Sequence, residues 1–180
     1  MQADIFYLEE NYVESAAAYL LFRDFHPKHE KISYVVYRIA ESYYKQLPET
    51  DDRDLEAAHE AVKYYGELLS KYAGTKYVKD AKKKMKECKK RLRNYEQYVA
   101  DFYFKTEVYS AAKWRYEYIL ENFRNKKLRS HSMKRIVLSS YYLKEFDSCL
   151  ELSTKYSNDL VKNDKSKVVE FTRYCKNKTK

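Results

Sequence analysis

Glycine and proline together supply four of the 180 residues, two of each. Ordinary usage in a globular chain of this length gives roughly 20. β-Architectures need both residues at their many turns, so a chain this poor in them is predicted to be helical almost throughout. Its length suffices for one domain with a sizeable core or for a short repeat array. The aromatic residues narrow the choice. Tyrosine occurs 21 times, against eight Phe and one Trp. A tyrosine can bury its ring while its hydroxyl reaches water or a polar partner. That suits a thin, two-layer helical array with much half-buried surface.

The strongest periodic signal runs from Val78 through Ala81, Met85, Cys88, Leu92, Tyr95 and Val99 to Phe102. Alternating steps of three and four residues define one apolar seam and predict a single helix over 77–105, roughly 40 Å long. The other faces are basic. Residues 78–93 hold nine Lys or Arg against Asp80 and Glu87, a net +7, and residues 155–180 hold eight against three, a net +5. The whole chain carries +9, so the remainder is mildly acidic at −3. Two readings follow for the basic helix: a solvated face on a packed helix, or a nucleic-acid clamp with neighbouring tyrosines.

Similar periodicity predicts helices at 3–9, 12–25, 31–46, 53–72, 109–123, 129–142, 146–156 and 160–175. The breaks carry turn chemistry: His26-Pro27, the stretch Leu47 to Asp52, and Ala73-Gly74-Thr75. Asp52 and Thr75 are expected to cap the helices that follow them. A repeat emerges when the second helices of successive pairs are aligned. A small residue is followed by an aromatic four later and an apolar residue three after that: Ser15, Tyr19, Phe22; Ala61, Tyr65, Leu68; Ala112, Tyr116, Ile119; and, more weakly, Cys149, Ser153, Tyr156. This is the second half of the tetratricopeptide pattern, in which the small residue lets two helices approach and the aromatic fills the adjoining gap. The fold expected is all-α, a right-handed α-α superhelix of tetratricopeptide-type hairpins with no sheet. Its divisions are a partial repeat at 1–27, repeats at 28–73, 77–124 and 128–157, and a capping helix at 160–176, in one domain over 1–180.

Catalysis has little support. The two glycines, Gly66 and Gly74, are isolated, so no phosphate loop exists. His26 and His29 flank a proline with no acidic or cysteine ligand cluster beside them, so no metal site and no cofactor is expected. Cys88, Cys149 and Cys175 are odd in number and lack a C-x-x-C pairing. Cys88 and Cys149 fall on apolar stripes and are expected as small core residues, with no disulfide framework. The opening MQADIFYLEENY has no signal-peptide or lipidation pattern, and its start within a helical pattern leads to the expectation of a longer natural protein.

Several stretches resemble the D-subunit family of the bacterial outer-membrane β-barrel assembly (Bam) machinery. They are Pro27-Lys28-His29 with Ile32 to Tyr37; Asp52-Arg53-Asp54; and the ungapped run through Tyr72, Tyr77, Asp80-Ala81, Arg91-Leu92, Tyr95-Glu96, Val99-Ala100 and Tyr103 to Arg115 and Glu117. The likeness extends from about Phe6 to Leu152. It departs at Thr106-Glu107, where the family tends to have arginine and glycine, at Arg124, which replaces a proline, and in the heavier lysine face. The resemblance implies a tetratricopeptide lipoprotein scaffold at the periplasmic face of the outer membrane, lipid-anchored in its full length. The partners it implies are a barrel-forming subunit with POTRA domains, other Bam lipoproteins and unfolded outer-membrane proteins.

By position, Arg115 and Tyr109 match family residues at the POTRA contact, with Lys105 and Thr106 at the adjoining turn. Their plainer readings are a surface arginine and interhelix packing. Tyr34, Tyr37, Arg38 and Glu41, at i, i+3, i+4 and i+7, mark a peptide groove or, more plainly, packing against the helix at 53–72. Two alternatives stand beside the Bam reading: a helical-repeat RNA-binding protein using Lys79 to Arg93, and a different periplasmic tetratricopeptide adaptor.

Overall fold

The computed structural model describes residues 1–51 and 53–179. Helices account for about four-fifths of it, with no strand among the described residues. In chain order they are α1 (Gln2–Leu8), α2 (Tyr12–Phe25), α3 (Ile32–Lys45), α4 (Glu56–Lys71), α5 (Val78–Lys105), α6 (Tyr109–Asn122), α7 (Lys126–Tyr142), α8 (Phe146–Tyr156) and α9 (Lys162–Lys178). Contacts divide the chain into two compact units, Met1–Tyr95 and Glu96–Lys180. Helix α5 supplies Ala81, Cys88 and Leu92 to the core of the first and Ala100 to that of the second.

The small residues of the repeat pattern, and three of its aromatic positions, are among the most buried in the chain. Ser15, Ala61, Ala112 and Cys149 are all fully buried, and so are Tyr19, Tyr65 and Tyr116. A tyrosine at full depth must still satisfy its hydroxyl, because an unpaired buried donor is costly. Each finds a carboxylate on the preceding helix. Tyr19 donates to Asp4 of α1 at 2.5 Å, Tyr65 to Glu41 of α3, and Tyr116 to Asp101 of α5 at 2.6 Å. The fourth hairpin has Ser153 at this position, and its hydroxyl donates instead to the Cys149 carbonyl at 2.6 Å.

Two expectations are corrected. The cysteines do form a disulfide: Cys149 of α8 and Cys175 of α9 are bonded, with their Cα atoms 6.5 Å apart. Spacing in the sequence could not show this, because the pairing depends on α9 folding back beside α8. Cys88 remains free and buried, and burial pushes its thiol up to about 11. The expected cap at Thr75 also differs. Asp52 lies outside the described residues, and the helix expected at 53 begins at Glu56, whose N–H donates to Asp54 Oδ1 at 3.0 Å. The Thr75 hydroxyl does not cap α5: it donates back to the Tyr72 carbonyl at 3.0 Å, and only the Thr75 carbonyl accepts from α5, from the Val78 N–H at 3.3 Å.

Three hairpins share one turn. After α1, α5 and α7, the residues Glu10, Glu107 and Lys144 take φ of 61°, 63° and 62°. The following N–H groups, of Asn11, Val108 and Glu145, donate five residues back to Phe6, Tyr103 and Ser140 at 2.9 Å. This is the Schellman closure, usually built on glycine. Here glutamate or lysine takes the left-handed position.

Candidate protein-binding surfaces

In the first unit, helix α3 faces two ways. Tyr34 and Arg38 turn toward a cavity of about 680 Å³, also lined by Asp4, His29, Lys31 and Tyr77. The wall is held by a chain of hydrogen bonds: Arg38 Nε donates to the Tyr34 hydroxyl at 3.0 Å, which donates to Asp4 at 2.5 Å. The Arg38 guanidinium also sits 3.9 Å from the Tyr7 ring centroid, a cation–π contact. Burial works against ionisation of Asp4. The Tyr19 and Tyr34 hydroxyls and the chain's amino group outweigh it and hold the carboxyl at about 2. Arg38 has no carboxylate partner among the described residues.

Tyr37 and Glu41 have other work. Tyr37 stacks on Tyr77 with centroids 4.7 Å apart and donates to Asp80 at 2.7 Å. Glu41, only 4% exposed, accepts from Tyr65 and from Lys84 at 2.5 Å; Lys84 also pairs with Asp80 at 2.9 Å. Burial and these acidic neighbours raise the Tyr37 and Tyr65 hydroxyls well above the usual phenol range. The helical spacing that groups the four residues therefore hides a division: two wall the cavity and two tie α3 to α4 and α5. Tyr77, Lys31 and His29 also line the cavity; Tyr77 and His29 stood out in the sequence and Lys31 did not. His29 Nδ1 accepts from the Lys31 N–H at 3.1 Å, and His26 and His29 both lie against Phe22.

The second unit holds the other set. Tyr109 stacks on Tyr142 at 4.5 Å with planes 13° apart, and meets the edge of Phe104 at 5.4 Å. Arg115 is half-buried. It donates to Glu96 at 3.3 Å and lies 5.2 Å from the Trp114 ring centroid. Lys105 and Thr106 are exposed at the turn, and Thr106 donates to the Phe102 carbonyl at 2.9 Å. Sequence reasoning missed Trp114. It is 60% exposed, stacks on Tyr118, and lies opposite the buried stripe of Ala112, Tyr116 and Ile119. The chain's single tryptophan on the wet side of an amphipathic helix was a legible signal.

These helices and surfaces lie within a known family. A model of the outer membrane lipoprotein family YfiO matches residues 3–149. The chain belongs to that family. Relatives include the outer membrane protein assembly factor BamD of Neisseria meningitidis serogroup A, 28% identical over 143 residues, covering 74% of this chain and 54% of the relative. That of Vibrio cholerae is 33% identical over 100 residues, covering 51% and 42%, and that of Rickettsia prowazekii 26% identical over 139 residues, covering 77% and 55%. The chain spans about half the length of the curated relatives it matches. Family membership places the protein at the outer membrane, facing the periplasm. The Cys149–Cys175 bond agrees with that oxidising compartment.

Proposed function

We propose that this chain is a non-enzymatic scaffold of outer-membrane protein assembly, working as part of a Bam complex. The observation that carries the reading is the family match itself, which runs unbroken from α1 into α8. Other Bam lipoproteins are partners in the same reading.

In it, the second unit docks a POTRA domain of the barrel-forming subunit around Tyr109 and Arg115, with Lys105 and Thr106 at the rim. Tyr109 is already immobilised by its stack on Tyr142, so it offers contact area at low entropic cost. Arg115 keeps an open side from which its guanidinium can fork onto a partner carboxylate, and exposed Trp114 adds apolar area beside it. The cavity of the first unit receives an extended segment of an unfolded barrel protein. Tyr34 and Tyr77 offer faces for an aromatic residue, and Arg38 and Lys31 supply charge for a terminal carboxylate.

Calorimetric titration of the chain with the POTRA-bearing subunit of the same organism tests the docking. Micromolar or tighter affinity is expected, weakened about 10- to 100-fold by Arg115→Glu. No binding by folded chain sinks the docking, and unchanged affinity in the variant removes Arg115 from it. For the groove, Arg38→Ala should abolish binding of a peptide with an aromatic C-terminus while leaving POTRA binding intact. Equal peptide affinity in both proteins rejects the groove.

A further inference from the structure

The basic half of α5 divides into cations that the fold uses and cations that it does not. Lys84 pairs with Glu41 and Asp80; Arg91 pairs with Asp51 and reaches the Pro48 and Thr50 carbonyls. Both side chains are bound into the first unit. Lys79, Lys82, Lys83, Lys86, Lys89 and Lys90 are all exposed, and none has an ion-pair partner among the described residues. At about 100° per residue these six fall within an arc of roughly 120°, opposite the Ala81–Cys88–Leu92 seam, over about 17 Å of helix. No acidic residue of α5 enters that arc: Asp80 lies toward Tyr37, and Glu87 lies on the Tyr44 side. A face that served only for solubility would mix signs, because like charges three and four residues apart oppose helix formation.

We propose that this lysine stripe is a docking surface for the phosphates of anionic phospholipid headgroups. The inference rests on the family's outer-membrane location, which brings a headgroup surface within reach. A flat, single-sign strip without an inserted aromatic fits a plane of diffuse negative charge better than it fits a base-stacking groove, where rings must lie among the cations. The exposed rings of α5, Tyr98 and Phe102, lie beyond the stripe. Binding of this kind is electrostatic, short-ranged and salt-sensitive.

The test is co-sedimentation of the full chain with phosphatidylglycerol-containing vesicles and with phosphatidylcholine vesicles, at about 50 mM and about 500 mM salt. Each lysine near the surface contributes about fivefold in partitioning. The expected result is binding to the anionic vesicles only, abolished by high salt and reduced roughly 100-fold by combined Lys82→Gln, Lys86→Gln and Lys89→Gln. These side chains are solvent-exposed and their like charges oppose one another, so an unchanged circular dichroism spectrum and a melting temperature equal to or slightly above the parent's are expected to accompany the loss. Equal binding to both vesicle types, unchanged binding by the triple variant, or tighter binding to a single-stranded oligonucleotide than to anionic vesicles would each overturn the proposal. Inorganic phosphate competing at micromolar concentration would also overturn it, because that outcome requires a discrete anion site. Fractionation of the natural full-length protein checks the location separately: recovery away from the outer membrane removes that premise, whatever the vesicles show.

Discussion

In the first unit two deep tyrosines end on carboxylates, and one of those carboxylates, Glu41, is also reached by Lys84. Among the described residues of the second unit only one such tyrosine occurs, Tyr116 on Asp101, and α8 is joined covalently to α9. Its helix α7 is lined by buried serines, of which Ser132, Ser139 and Ser140 have hydroxyls without partners. The first unit is therefore knit by charge and hydrogen bonds that depend on one another. The second has thinner polar satisfaction and a cross-link that restricts its unfolded state.

The sharpest challenge to this contrast is Glu41→Ala. It leaves the Tyr65 hydroxyl unpaired at full depth and deprives Lys84 of one of its two acids, at an expected cost of about 3 kcal/mol by urea denaturation. A cost below about 1 kcal/mol would mean that the first unit does not depend on its network. Next in size, Cys149→Ala with Cys175→Ala should destabilise by about 3 kcal/mol or somewhat less. Hydrogen exchange gives the location: α8 and α9 should lose protection while α2, α3 and α4 keep theirs. Equal losses in both units would erase the distinction. Tyr116→Phe should cost about 1 kcal/mol, less than Tyr65→Phe, because Asp101 keeps His131 at 2.7 Å.

Acid provides the gentlest probe. Asp4, Asp51 and Asp80 in the first unit, and Asp101 and Asp164 in the second, all ionise below their ordinary range. In each, hydrogen bonds to the charged form outweigh the burial that opposes it. A depressed carboxyl stabilises the fold above its unfolded pKa and loses that contribution as pH falls through the folded one. Thermal melts should be flat above about pH 5 and fall progressively toward pH 2, where Asp4 titrates. A melting temperature unchanged down to pH 2 would show that these pairs contribute nothing net.

Much of this architecture was legible in the residues. The small-then-aromatic register picked out Ser15, Ala61, Ala112 and Cys149, all fully buried, because close approach of helices and ring filling leave few alternatives in residue type. The α5 seam was equally plain. The polar interior was not. Glu41 reads as a groove residue because a helical wheel cannot tell an exposed carboxylate from one that meets a tyrosine on the next helix. The cysteine pair was hidden for a related reason: α9 had to be placed before Cys175 could meet Cys149. Trp114 was overlooked although its position off the buried stripe was in view.

The scarcity of glycine that points so firmly to helix has a further consequence at the three left-handed turns. Glycine would adopt φ near 60° without strain, yet Glu10, Glu107 and Lys144 do so at some cost to the backbone. Each is exposed, so each of these hairpin tips carries a full charge out into water where glycine would leave bare peptide. Conformational ease is exchanged there for hydration, and each tip presents a charge to solvent in place of bare backbone.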